Sequence, residues 1–173
     1  MLIDKLERVK AQRLKLMWLD ETNFTKLSLQ TTEWSRRLTN LSVDQREVYT
    51  GYRSAIATVS EERGVELVHI QDRAVNEYDF LRYLVNLSRV NDRKPFALFM
   101  DNLSVHKTGT VKLMYERLSI TPLFNIPYSP DTNPIESCFS QVKRYYRCKR
   151  LGCLVNATPF DRDATINEAF EEV

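Results

Sequence analysis

At 173 residues the chain has room for one domain with a well-buried core and too little for two. Hydrophobic residues make up 43% and charged residues 28%, which excludes a disordered chain and a membrane-embedded one. Lys plus Arg number 25 against 23 Asp plus Glu, a net +2 that excludes a strongly basic tail and leaves room for a local basic patch.

The N-terminal run MLIDKLERVKAQR is charged and lacks the apolar core of a secretory signal. Leu2, Leu6 and Val9 recur at helical steps, so the first dozen residues are expected to be a helix. Leu14 to Leu19 reads as a buried strand that ends in Asp20. Residues 21–51 are polar and irregular, with Phe24, Leu27, Leu29 and Trp34 as isolated anchors; so long an insertion is more often functional than accidental. Tyr52 to Ser60 and Gly64 to Gln71 form a hairpin pattern around an acidic turn. A helix follows with Asn76 as N-cap, Asp79 three residues on, and a stripe of Phe80, Leu84 and Leu87.

Phe96 to Met100 is apolar throughout, the mark of a central strand covered on both faces, and it stops at Asp101. A helix is expected over Thr108 to Leu118 and a strand over Ile120 to Ile126. The turn-rich loop 127–132 then leads into a clear helix start: Asn133 as N-cap, Pro134 at the first helical position and Glu136 three after the cap. Ile135, Phe139, Val142 and Tyr146 share one face of that helix, and a last helix is expected after Asp161. The order of elements predicts a mixed α/β sheet with helices on its faces. Neither a GxGxxG nor a GxxxxGK[ST] motif is present.

Two strands thus end in aspartates, Asp20 and Asp101, and the carboxyl ends of strands are where an open α/β sheet binds ligands. Glu136 approaches from the first turn of a helix. Three such carboxylates suit Mg²⁺ or Mn²⁺, and two such ions promote phosphoryl transfer. Two of the acids also have a plainer reading, Asp20 as a turn residue or helix cap and Glu136 as the arm of a capping box, whereas Asp101 is harder to dismiss because it closes a wholly apolar strand and precedes Asn102 and His106. Cys138, Cys148 and Cys153 contain no CxxC, and with only His69 and His106 no zinc cluster is expected; the odd cysteine count favours a reducing compartment. His69, in an alternating strand, reads as structural or surface.

Three stretches carry a resemblance. Trp18-Leu19-Asp20-Glu21, Met100-Asp101-Asn102-Leu103-Ser104-Val105-His106-Lys107 and Pro127-Tyr128-Ser129-Pro130-Asp131-Thr132-Asn133-Pro134-Ile135-Glu136 resemble the catalytic domain of DDE transposases of the Tc1/mariner and IS630 group. Thirty-four residues separate Asp101 from Glu136, a spacing typical of the Tc1 branch. The resemblance implies a ribonuclease H-like α/β fold, with a helical extension over 1–13, the catalytic domain over 14–150 and a partly helical tail over 151–173. It implies that Asp20, Asp101 and Glu136 are the catalytic, metal-binding triad for two Mg²⁺ ions, with Mn²⁺ as a substitute, in DNA strand cleavage and strand transfer. His106 matches a histidine common after the second aspartate, in a supporting or substrate-contacting role, with a cap or satisfied polar group as the alternative.

Lys143, Arg144, Arg147, Lys149 and Arg150 fall within eight positions without an acid. Glu136, Ser140, Lys143 and Arg147 share a helix face, so the helix carrying a proposed metal ligand continues as a basic ridge for phosphates. A solvated face with snorkelling side chains is the plainer reading. Arg36, Arg37 and Lys107 join His106 as further DNA-contact candidates. Expected partners are transposon-end and target DNA and a second copy of the chain, with no membrane. Expected localisation is the nucleus in a eukaryote and otherwise the cytoplasm with the chromosome. Only 13 residues precede the first predicted strand, so no helix-turn-helix pair fits there, and a fragment, isolated domain or degenerate copy is expected. Two competing readings remain open: a catalytically silent transposase-derived domain that binds DNA or a partner, and another ribonuclease H-like nuclease, which the Ser-Pro-Asp-Thr-Asn-Pro-Ile-Glu block disfavours.

Overall fold

The computed structural model describes residues 2–25, 52–126 and 133–173. The elements are α1 (Leu2–Ala11), β1 (Lys15–Phe24), β2 (Arg53–Ser60), β3 (Gly64–Gln71), α2 (Glu77–Val90), β4 (Phe96–Met100), α3 (Gly109–Arg117), β5 (Ile120–Phe124), α4 (Ile135–Val155) and α5 (Arg162–Glu171). A 3-10 turn, Ser104–Lys107, follows β4. The insertion around Trp34, Arg36 and Arg37 and the loop 127–132 lie outside the described residues.

The five strands line up as β3-β2-β1-β4-β5. β1 to β3 are antiparallel neighbours, whereas β4 and β5 run parallel to β1. This is the mixed sheet of a ribonuclease H-like fold. Gly64 closes the β2–β3 turn at φ +70°, a conformation that favours glycine. β4 is buried at all five positions, as its unbroken apolar run requires.

Alternation along β1 sorts its side chains between two cores. Met17 and Leu19 pack with Phe80, Leu84, Leu87, Leu98 and Tyr115, on the α2 and α3 side. Phe24 packs with Phe139, Tyr146 and Phe170, on the α4 and α5 side. A third cluster of Val9, Ala97, Phe99 and Leu123 seats α1 against β4 and β5.

The start of α2 is built as its sequence dictates. Asn76 accepts from the Asp79 N–H at 3.0 Å, and the Asp79 carboxylate accepts from the Asn76 N–H at 3.2 Å. Asp79 also pairs with Arg73, which binds the preceding loop to the cap. Thr108 caps α3 by accepting from the Val111 N–H at 3.3 Å. β1 runs through Asp20 to Phe24, beyond the Leu19 expected from sequence, because β2 pairs with it as far as Arg53.

Candidate active site

The register of the parallel pair places the two aspartates. Lys15 sits opposite Phe96 and Trp18 opposite Phe99. The same offset carried two residues further sets Asp20 beside Asp101. Asp101 directly follows β4, and Asp20 lies within β1 just past its last parallel pairing with β4, at the end of the parallel pair where a ligand is expected.

Asp20 is mostly withdrawn from solvent. Its Oδ1 accepts from the Glu21 N–H at 2.7 Å and its Oδ2 from Asn133 Nδ2 at 3.0 Å. Burial raises its pKa, the Glu21 N–H opposes that, and the charges of Asp101, Glu136 and Glu21 raise it further, to about 6. The acids named from sequence are therefore close enough to repel one another's charge. Asp101 shifts the other way. Burial pushes its carboxyl up, but His106 and the Leu103 N–H outweigh burial and hold it below the ordinary range.

Asn133 corrects one expectation. Its side chain does not cap α4: the Nδ2 donates to Asp20, and the buried Oδ1 has no hydrogen-bond partner among the described residues. The Glu136 N–H bonds instead to the Asn133 main-chain carbonyl at 3.1 Å. Without that reciprocal capping, Glu136 stands exposed on the first turn of α4.

His106 corrects another. It is 1% exposed, so it lies inside the protein and presents no surface to DNA. Its Nδ1 is 3.0 Å from Asp101 Oδ1, and its Nε2 is 3.6 Å from Glu21 Oε1. Both contacts are ion pairs when the ring is protonated. Glu21 was not singled out from sequence. Its signal was parity: it shares the buried β1 face of Met17 and Leu19, where a carboxylate needs a partner.

A hard divalent cation fits the donor chemistry of Asp20, Asp101 and Glu136, which is all oxygen and electrostatically crowded. Among the described residues, no three His, Cys, Asp or Glu side chains already stand together closely enough to enclose one.

The basic candidates separate by position. Lys143 is half-buried near Glu136, Asp20 and Arg147; burial lowers its pKa while the two acids oppose the shift. Arg144 is exposed and Arg147 half-buried. Lys149 points to α5, 3.4 Å from Glu168 and over the Tyr145 ring. Arg150 is 3% exposed and stacks over Phe160, which removes it from the ridge expected from sequence. Lys107 donates to Asn102 Oδ1 at 2.5 Å and lies over the Phe124 ring. No described helix is long and apolar enough to cross a membrane.

A family model described as DDE superfamily endonuclease matches residues 15–154. Comparison with curated proteins finds no significant match. Among solved structures, the Mos1 strand transfer complex is similar at 18% identity and TM-score 0.65, over 99% of this chain and 50% of that one. The Mos1 transposase catalytic domain with Raltegravir and Mg is similar at 18% identity and TM-score 0.59, over 98% of this chain and 88% of that one. The simian T-cell lymphotropic virus intasome, in complex with PP2A regulatory subunit B56 gamma, is similar at 14% identity and TM-score 0.63, over 90% of this chain and 46% of that one. The chain thus spans about half the length of the strand-transfer and intasome chains. With a family model covering β1 to all but the last residue of α4, and a sheet of matching architecture, the chain belongs to the DDE superfamily endonucleases.

Proposed function

We propose that this chain is a metal-dependent polynucleotidyl transferase domain that cleaves a DNA strand and joins the freed end to another. Asp20, Asp101 and Glu136 would hold two divalent cations, Mg²⁺ or Mn²⁺. The observation that carries the reading is the placement of Asp20 beside Asp101 on neighbouring parallel strands, with Glu136 near enough for its charge to act on Asp20. Gathering repelling carboxylates beside one another costs stability, and a bound cation offsets that cost.

When bound, the ions supply an activated attacking oxygen and charge stabilisation of the leaving one. The chain's own groups orient that chemistry. Asn133 fixes Oδ2 of Asp20, and the Leu103 N–H and His106 fix Oδ1 of Asp101. Lys143 and Arg147, on the face of Glu136, grip the phosphodiester backbone beside the site. The similar solved structures include a Mos1 paired-end complex and a Mos1 strand transfer complex, which supports DNA ends and a second copy of this chain as partners. The place of action would be with chromosomal DNA.

That no three His, Cys, Asp or Glu side chains among the described residues yet enclose a cation favours one competing reading, a silent domain that binds DNA without cutting it. Incubation of the purified chain with supercoiled plasmid separates the two. Nicking is expected with Mg²⁺ or Mn²⁺, and it disappears with chelator and in Asp101→Asn. Equal nicking with chelator would overturn the metal mechanism, and DNA binding without nicking in either metal would favour the silent domain.

A further inference from the structure

We propose that Glu21 and His106 are a positioning pair for Asp101: Glu21 holds His106, and His106 fixes one Asp101 oxygen so that the other stays available. The proposal rests on the cation-site reading above and assigns two residues that would touch no cation.

His106 is located by contacts on every side. Its ring lies 4.4 Å from that of Phe80, its carbonyl accepts from the Tyr115 hydroxyl at 3.2 Å, and its N–H donates to the Leu103 carbonyl at 3.2 Å. The ring therefore cannot follow a moving carboxylate; the carboxylate must conform to the ring. Asp101 Oδ1 meets both His106 Nδ1 and the Leu103 N–H, at 3.0 and 3.2 Å. Oδ2 has no protein partner among the described residues.

The far side of the ring needs Glu21. The buried Nε2 faces the Glu21 carboxylate, the polar group within reach of it among the described residues. Glu21 Oε1 is buried and accepts no hydrogen bond, so within the described residues its charge is balanced by His106 Nε2 at 3.6 Å. Parity on β1 also separates the roles. Glu21 shares the face of Met17 and Leu19, whereas Asp20 points to the opposite face, toward Asn133 on the α4 side. Glu21 is thus directed away from the Asp20 carboxyl and toward the ring. The pair ties β1 to the end of β4 at the level of the aspartates.

The test uses the intact chain without DNA. Its two histidines give two sets of imidazole nitrogen resonances, and His69, exposed on β3, serves as internal reference. Glu21→Gln is expected to move the His106 signals and leave those of His69. Mn²⁺ affinity, read by electron paramagnetic resonance, is expected to fall about tenfold in His106→Ala. It should fall less in Glu21→Gln, and no further in the double variant than in His106→Ala alone. His106→Gln keeps a donor for Asp101 and preserves buried volume, and is expected to recover part of the affinity.

Unmoved His106 signals in Glu21→Gln would overturn the pair. So would parental Mn²⁺ affinity in His106→Ala, or losses that multiply in the double variant, which would make Glu21 a direct ligand. Parental Mn²⁺ affinity in Asp101→Asn would instead remove the cation-site reading, and the pair with it.

Discussion

Asp20 and Asp101 are neighbours in the sheet, yet their carboxyls are pushed in opposite directions. Asp101 has a cationic ring beside it, whereas Asp20 has an amide, a backbone N–H and three acids. The folded Asp20 carboxyl titrates near 6 against an ordinary 3.8. Between those values the folded state binds the extra proton, so stability falls as pH rises through that window. The effect at neutral pH is on the order of 2–3 kcal/mol, set by about 1.4 kcal/mol per pKa unit. In urea unfolding without divalent cations, Asp20→Asn is expected to flatten the decline between pH 4 and 7 and to exceed the parent in stability at pH 7. An unchanged pH slope in Asp20→Asn would contradict the raised carboxyl. Both aspartates were legible in the sequence because each directly follows an apolar run. Glu21 was not, since an acid next to an aspartate reads as part of a polar turn until β1 is seen to continue through it to Phe24.

Among the elements, α4 does most to join structure to chemistry. Its buried face of Ile135, Phe139, Val142 and Tyr146 follows helical spacing and was readable from sequence. Its basic residues were less so, because periodicity says which side chains share a face and not what a later element brings to it. α5 supplies Glu168 against Lys149, and the segment between α4 and α5 supplies Phe160 over Arg150. Lys143 and Arg147 remain on the face of Glu136, and Arg144 is exposed beside them. Fluorescence anisotropy with duplex DNA at several salt concentrations checks this division. Lys143→Ala and Arg147→Ala should each weaken binding across sequences alike and lower the salt slope by about 1. Lys149→Ala should change it less; an equal or larger effect would return Lys149 to the ridge. The cap of α4 shows the same limit. Asn133 and Glu136 have the spacing of a capping box, but the Asn133 side chain is turned so that its Nδ2 donates to the Asp20 carboxylate, and its Oδ1 accepts from no helix N–H among the described residues.

At the scale of the molecule, the succession of strand, hairpin, helix, strand, helix, strand and helix was readable from apolar runs and caps. The lateral order β3-β2-β1-β4-β5 was not, because strand neighbours are chosen by packing across the sheet. That order matters most for function. It makes β1 and β4 parallel neighbours and so brings Asp20 and Asp101, far apart in sequence, beside one another. The 3-10 turn Ser104–Lys107 escaped sequence reading for a related reason: its anchor is the burial of His106 among α2, α3 and the strand ends, a tertiary contact without local periodicity. The fold thereby places three acids of one charge at one end of the sheet, in a chain whose overall charge is nearly balanced.

Thermal unfolding with and without Mn²⁺, in the parent and in Asp101→Asn, tests most directly whether those acids are a cation site. A cation bound only by the folded state stabilises it by about 2.7 kcal/mol at a hundredfold excess over its dissociation constant. The parent is expected to melt several degrees higher with Mn²⁺ and Asp101→Asn to melt at the same temperature in either condition. A parent midpoint that Mn²⁺ leaves in place, or an equal rise in Asp101→Asn, would contradict it.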